Sequence, residues 1–259
     1  RMQIHDLLSH CVKEGASDLH INAGQSPAVR LDGVIRQLGT PPLTVEQAQR
    51  LIYSIMNERQ KALFEDNLEL DFSFGLAGLS RFRVNVFHQL HGIGAAFRVI
   101  PDEVQTIEQL GLPLVLRDIA KFRRGLVLVT GPTGHGKTTT LAALIHEINQ
   151  TRFEHVVTIE DPIEYPHGPP KCLISQRQLN THTRSFANAL RSALRQDPDV
   201  IMVGEMRDLE TVSLALTAAE TGHLVLASLH TRSAADTVNR IIDVFPKEQQ
   251  HQIRTMISN

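Results

Sequence analysis

Residues 131–138 read Gly131, Pro132, Thr133, Gly134, His135, Gly136, Lys137, Thr138, and no other stretch restricts the fold as much. They fit G-x-x-x-x-G-K-S/T, a pattern that carries meaning only between a strand and a helix. Both flanks are expected here. Leu126, Val127, Leu128 and Val129 form a short apolar, β-branched run, and Leu141, Leu144, Ile145 and Ile148 recur at helical spacing. Gly131, Gly134 and Gly136 let the backbone bend until successive N–H groups point inward at phosphate oxygens. The helix that follows adds the positive end of its dipole. Lys137 is then placed to reach the β- and γ-phosphates, and the Thr138 hydroxyl to ligate Mg²⁺. A plain glycine-rich turn before a helix is the alternative, and the flanking pattern outweighs it. The expectation is a nucleoside triphosphate site.

At 259 residues the chain has room for two domains of ordinary size. With 42% hydrophobic and 21% charged residues it is globular, which excludes a disordered tail protein. A formal charge of −2 gives no overall electrostatic reason to expect nucleic acid, although a local basic channel is compatible with it. Cys11 and Cys172 form no C-x-x-C pair, so neither a disulfide framework nor a zinc knuckle is expected. Two lone cysteines fit a reducing compartment. No apolar run reaches membrane-spanning length and no signal-peptide pattern opens the chain. A cytoplasmic protein without direct membrane insertion is expected.

Residues 1–100 read as α+β. Ile4, Leu7, Leu8, Cys11 and Val12 make one helical face ending near Gly15. Strands follow at 18–21, 28–31 and 34–38, with Asp32 and Gly33 as a hairpin turn. Thr44 and Gln47 have capping-box spacing and open a helix through Met56, with a second helix to Glu65. Residues 69–74, 81–88 and 94–100 complete the strands, and in the middle one Phe82, Val84 and Val86 alternate with Arg81, Arg83 and Asn85. A proline-containing polar segment begins at Pro101, so 101–112 is read as a linker and 113–259 as a second domain. There, apolar runs at 126–130, 156–159, 200–203 and 224–228 alternate with helical patterns. That is the signature of βαβ units and a mainly parallel sheet. Ligands of such sheets bind beyond the carboxyl ends of the strands, so the polar residues there carry the chemistry.

Three such ends stand out. Glu160, Asp161 and Glu164 crowd the first, Glu205 follows Gly204 at the second, and His230 follows the third strand, which His223 precedes. Singly, each has an ordinary reading: a solvated loop, a helix cap, a structural imidazole. Together, downstream of the glycine loop, they predict carboxylates facing Mg²⁺ and an attacking water.

These segments resemble the boxes of the secretion ATPase superfamily. Residues 131–140 match its Walker A sequence, 158–165 its Asp box, 197–208 its Walker B strand and 221–231 its His box. The likeness spans essentially the whole chain, and phrases at 15–20, 80–85 and 216–223 are similar to the type IV pilus retraction ATPases within it. The resemblance implies an α/β protein: a RecA-like P-loop ATPase domain preceded by a smaller α+β PAS-like domain, in a hexameric homo-oligomer. It implies an Mg²⁺-dependent ATPase, ATP binding by Gly131 through Thr139 (Thr139 included) and by His223, and a cytoplasmic motor peripheral at the inner membrane. Its partner would be an inner-membrane pilus platform protein, and no nucleic acid would be bound.

Residue by residue, the resemblance makes Glu164 the general base and puts Glu205 with Thr138 on the metal, partly through water. It makes His223 and His230 phosphate-side or interface sensors. Arg83 and Arg98 become the cations that reach the γ-phosphate, with an ordinary surface ion pair as their other reading. Two departures are visible. His135 stands where the family more often has a small residue, at a position needing only its backbone. The family also continues past the helix at 253–257 into further C-terminal helices, so the sequence reads as truncated relative to it.

The function implied is a motor for pilus disassembly and twitching motility. Its alternatives are a pilus-assembly or type II secretion ATPase, which usually carries a larger N-terminal region and a tetracysteine zinc motif, or the accessory retraction ATPase. A RecA-like nucleic-acid translocase would show DNA-stimulated hydrolysis. A nucleotide sensor without turnover would not need both Glu164 and Glu205.

Overall fold

A computed structural model describes residues 2–100 and 103–258. Pro101 and Asp102, where the linker was expected to begin, lie outside the described residues, as does Asn259. The chain divides into two compact units, residues 1–102 and 103–259.

The first unit contains helix α1 (Ile4–Lys13), strands β1 (Asp18–Asn22), β2 (Ala28–Leu31) and β3 (Val34–Gln37), helices α2 (Val45–Tyr53) and α3 (Glu58–Asn67), and strands β4 (Glu69–Leu76), β5 (Ser80–Gln89) and β6 (Gly92–Ile100). The six strands pair antiparallel in the order β3-β2-β1-β6-β5-β4. Asp32 and Gly33 turn β2 into β3 with φ of 49° and 80°, the paired left-handed conformation of a two-residue hairpin, and Leu31 faces Val34 across it. Thr44 and Gln47 close the expected capping box. The helix it opens stops at Tyr53 rather than Met56, because Asn57 and Gln60 form a second box that starts α3. Along β5, Phe82, Val84 and Val86 are fully buried beside Leu19, Ile52, Phe64 and Phe97, while Arg81, Arg83 and Asn85 take the other face.

The second unit adds α4 (Val115–Ile119), β7 (Gly125–Thr130), α5 (Lys137–Thr151), β8 (His155–Glu160), β9 (Leu173–Gln178), α6 (Phe186–Ala193), β10 (Val200–Val203), α7 (Leu209–Glu220), β11 (Leu224–Leu229), α8 (Ala234–Asp243) and α9 (Lys247–Ser258). Its five strands are parallel in the order β7-β11-β10-β8-β9. Successive strand residues point to opposite cores. Val200, Met202, Leu224 and Leu226 pack with Leu141, Leu144, Ile145 and Ile148 of α5. Ile201, Val203, Val225 and Ala227 pack with Leu190 of α6, Val212 and Leu216 of α7, and Ile241 of α8. Burial on both faces accounts for the unbroken apolar runs.

The expected class, α/β with a smaller α+β domain ahead of a mainly parallel sheet, is observed, and the sheet of the first unit is antiparallel. Strand β9 was not expected. Its sequence, Leu-Ile-Ser-Gln-Arg-Gln, is polar because it lies at the sheet edge and buries little beyond Ile174 and Gln178.

Candidate active site

All carboxyl ends of the parallel strands lie at one margin of the second unit, and strand order decides which of their residues meet. β7 leads into the glycine loop, and β11 is its immediate neighbour, with Thr130 opposite Leu229. His230, the next residue, therefore stands against the loop. β10 lies one strand further and delivers Glu205; β8 lies one further still and delivers the loop holding Glu164.

The glycine loop is shaped as the sequence requires. Gly131, Gly134 and Gly136 have φ of 151°, 78° and 83°, and Gly136 is the residue from which α5 starts, without a side-chain cap. Backbone N–H groups at this helix end are thus left for an external acceptor. Lys137 is buried, and its ammonium donates to Gly131 O at 2.8 Å, Pro132 O at 2.9 Å and His230 Nδ1 at 3.2 Å. Thr133 Oγ1 lies 3.5 Å from the same nitrogen, and His135 turns back so that its Nδ1 is 3.1 Å from Thr133 O. Thr138 is exposed, and the Thr139 hydroxyl meets Tyr165 Oη at 3.2 Å.

These contacts fix the protonation of His230. An ammonium has no lone pair, so Nδ1 must accept from Lys137 and carries no hydrogen. The proton is on Nε2, which donates to Glu205 Oε1 at 2.7 Å. Arg207 holds the other oxygen of Glu205 at 2.5 Å. Burial pushes the Glu205 carboxyl up, but the hydrogen bond and charge of Arg207, with smaller contributions from His230 and Lys137, together outweigh it and lower its pKa. Lysine, imidazole, carboxylate and guanidinium thus form one continuous relay, and a cleft of about 400 Å³ opens beside it, lined by Thr133, Glu205, Arg207, His230 and Arg232.

Gly204 explains how Glu205 reaches this place. A Cβ on Gly204 would stand 3.1 Å from Ile159 O, a tight contact that glycine avoids as β10 turns close to the end of β8. The Ser228 hydroxyl donates to Gly204 O at 2.5 Å and Met206 N to Ser228 O at 3.1 Å, tying the turn to β11 as well.

The acidic segment behaves differently from the expectation of carboxylates jointly facing metal and water. Glu160 is buried and accepts from the Thr158 hydroxyl at 2.6 Å and Gln176 Nε2 at 3.1 Å, so it is taken up inside the sheet. Glu164 is half-buried in the loop between β8 and β9. That loop is held by two residues the sequence reading missed. Gln178 Oε1 accepts from Ile163 N at 3.1 Å, while Gln176 accepts from His167 N at 2.8 Å and donates to Tyr165 O at 3.0 Å. Their spacing of two on a strand with one apolar face was the available signal.

His223 does not join the loop. It precedes β11, its carbonyl accepts from Gly125 N at the start of β7, and its Nδ1 lies 3.0 Å from Ala218 O. Seven residues of extended chain put it roughly 23 Å from His230, at the opposite end of the sheet. Arg83 and Arg98 belong to the first unit and stand directly opposite each other on β5 and β6. Arg98 Nε donates to Asp18 Oδ1 at 3.0 Å.

The residues present fit a nucleotide and its metal. The left-handed glycines, the helix start and the ammonium held only by neutral acceptors form a cradle for a polyanion. The Thr138 hydroxyl and the Glu205 carboxylate are the hard oxygen donors that Mg²⁺ prefers. Among the described residues, no group of three or more His, Cys, Asp or Glu forms a metal site, and no helix is long and apolar enough to cross a membrane.

A family profile described as Type II/IV secretion system protein matches residues 1–258. The chain is 55% identical over 257 residues to the "Type IV pilus retractation ATPase PilT" of Pseudomonas aeruginosa, covering 99% of this chain and 75% of that protein. It is 54% identical over 233 residues to the "Twitching motility protein" of Neisseria gonorrhoeae, covering 90% of this chain and 62% of that one. A solved structure, "Crystal Structure of the Pilus Retraction Motor PilT and Bound ADP", is similar with a TM-score of 0.96 and 51% identity, over 100% of this chain and 76% of that one.

Proposed function

The chain belongs to the Type II/IV secretion system protein family, and from that premise we propose that it is the ATP-hydrolysing motor of type IV pilus retraction, driving pilus disassembly in twitching motility. The observation that carries the reading is the relay at the glycine loop: Lys137 and Glu205, from different strand ends, both bonded to His230. It sets a buried ammonium at the glycine loop beside a carboxylate, in a chain 55% identical to a retraction ATPase, which supports a phosphate-binding role for that ammonium.

In this reading Gly131 through Thr139 cradle the phosphates by backbone and side chain. Lys137 exchanges neutral carbonyl acceptors for charged phosphate oxygens, which bind an ammonium more strongly. Thr138 and Glu205 would hold Mg²⁺, partly through water, and the metal would neutralise charge on the phosphoryl oxygens. Glu164 accepts the proton of the attacking water, and His230 links loop and carboxylate so that displacement of Lys137 is felt at Glu205. Arg83 and Arg98 supply cations to the γ-phosphate. The position of His223 at the far end of the sheet favours the interface half of its expected role.

The motor is a homo-oligomer, a hexamer by the resemblance, with a PAS-like domain at 1–100, a linker at 101–112 and a RecA-like ATPase domain from 113. It works in the cytoplasm, peripheral at the inner membrane through a pilus platform protein, without nucleic acid.

Expression in a strain that extends pili but lacks its own retraction motor tests this. The natural polypeptide should restore surface spreading. The Glu164→Gln variant should not, and it should release phosphate roughly a hundredfold more slowly while still binding ATP, the size of effect a general base supplies. Unchanged phosphate release would remove Glu164 from the chemistry. Hydrolysis without restored spreading would remove the pilus from the function.

A further inference from the structure

The cleft beside the relay contains one cation that the chemistry above does not use. Arg232 lines it two residues after His230. The other charged groups there are committed, Arg207 and Glu205 to each other and Glu205 also to His230, and Lys137 behind them is bonded to two carbonyls and His230. Arg232 is exposed and, among the described residues, has no hydrogen-bond or ion-pair partner.

Its backbone is nevertheless fixed on both sides. Thr231 is buried with its hydroxyl bonded to that of Thr237, and Ser233 caps α8 by accepting from Asp236 N at 3.1 Å. A long guanidinium arm therefore extends from a rigid base into a cleft whose other walls are Pro132 and Thr133 of the glycine loop and the ends of β10 and β11. This is the side toward which the Lys137 ammonium points, and a P-loop lysine reaches the β- and γ-phosphates. A planar fork of donors that is always charged suits a terminal phosphoryl group, which the diphosphate lacks.

We propose that Arg232 contacts the terminal phosphate of the bound nucleoside triphosphate and so sets the preference for ATP over ADP. The proposal rests on the nucleotide-site reading above and adds a specificity-determining residue to it.

Equilibrium titrations with Mg²⁺ and either ADP or a non-hydrolysable ATP analogue provide the test, on the whole chain, with Arg232→Ala, Arg232→Lys and, as a surface control, Arg240→Ala. Removing the guanidinium should weaken the triphosphate analogue about tenfold, as expected for one charge-assisted contact, and leave ADP within about twofold. Arg232→Lys should recover part of the loss as a point charge, and Arg240→Ala should match the parent. Equal weakening of both nucleotides would mark Arg232 as a support of the loop and overturn the proposal. No change in either would overturn it too. A parent chain that bound neither nucleotide would fail the site reading itself, and the proposal with it.

Discussion

The two units use their sheets in opposite ways. In the first, antiparallel β5 alternates, with Phe82, Val84 and Val86 inside and Arg81, Arg83 and Asn85 outside. The outer face is a surface on which charge can be laid out in rows, and one row runs Arg30, Asp18, Arg98, Arg83 and Ser73 from β2 to β4. In the second, β10 and β11 are buried at every position, so neither face can hold chemistry. Polar residues are confined to the strand ends, where Glu205 and His230 stand. A sheet covered on one side presents a face; a sheet covered on both presents only a rim.

Three experiments probe this division, and the largest effect is expected in the one-sided sheet. Phe82→Ala removes a fully buried ring from the first core and should cost about 3–5 kcal/mol in denaturant unfolding of that unit, as large-to-small core changes do. ATP affinity in the second unit should survive wherever the first stays folded. Loss of both together would mean that the units share a single stability.

Next in size is Lys137→Ala. It takes from the rim the ammonium that bridges loop and His230, and ATP affinity should fall roughly a hundredfold, about 2.7 kcal/mol. Equal affinity for mutant and parent in a titration would refute the assignment of the rim as the phosphate site.

The third test lies in the acid range. Burial first, and the nearby His146 second, pull the His167 pKa down to about 4. An unfolded imidazole titrates near 6.5, so between those values the unfolded chain binds more protons than the folded one. The contribution of His167 to stability should therefore fall as pH drops from about 6.5 to about 4 and level off below. Urea midpoints for His167→Gln should show a flatter slope across that window than the parent. An identical slope would place the acid sensitivity elsewhere.

Local chemistry was legible because it depends on neighbours in sequence. The hairpin at Asp32 and Gly33, the cap formed by Thr44 and Gln47, and the left-handed glycines before Lys137 are each set by a few adjacent residues. So is the alternation of β5, since a strand's period of two is a property of the backbone. The helix pattern runs on to Met56, but α2 ends at Tyr53 because the Asn57 cap starts α3 close behind it.

Strand order, by contrast, joins residues a hundred apart and leaves no local trace. Glu160, Glu164, Glu205, His223 and His230 are equally plausible as a string of polar residues beside apolar runs. The order β7-β11-β10-β8-β9 puts His230 against the glycine loop and Glu205 next to it. It leaves Glu160 inside the sheet, bonded to Thr158 and Gln176. Parallel strands put His223 at the end of the sheet away from the glycine loop. Arg207 and Arg232 acquire meaning only through the same packing, one as the partner of Glu205 and the other as a cleft cation without a partner among the described residues. Sequence alone determined most of the kinds of element and the shape of the glycine loop. Which side chains share a site was decided by tertiary structure, because two-sided burial fixes where strands sit and brings their ends together regardless of distance along the chain.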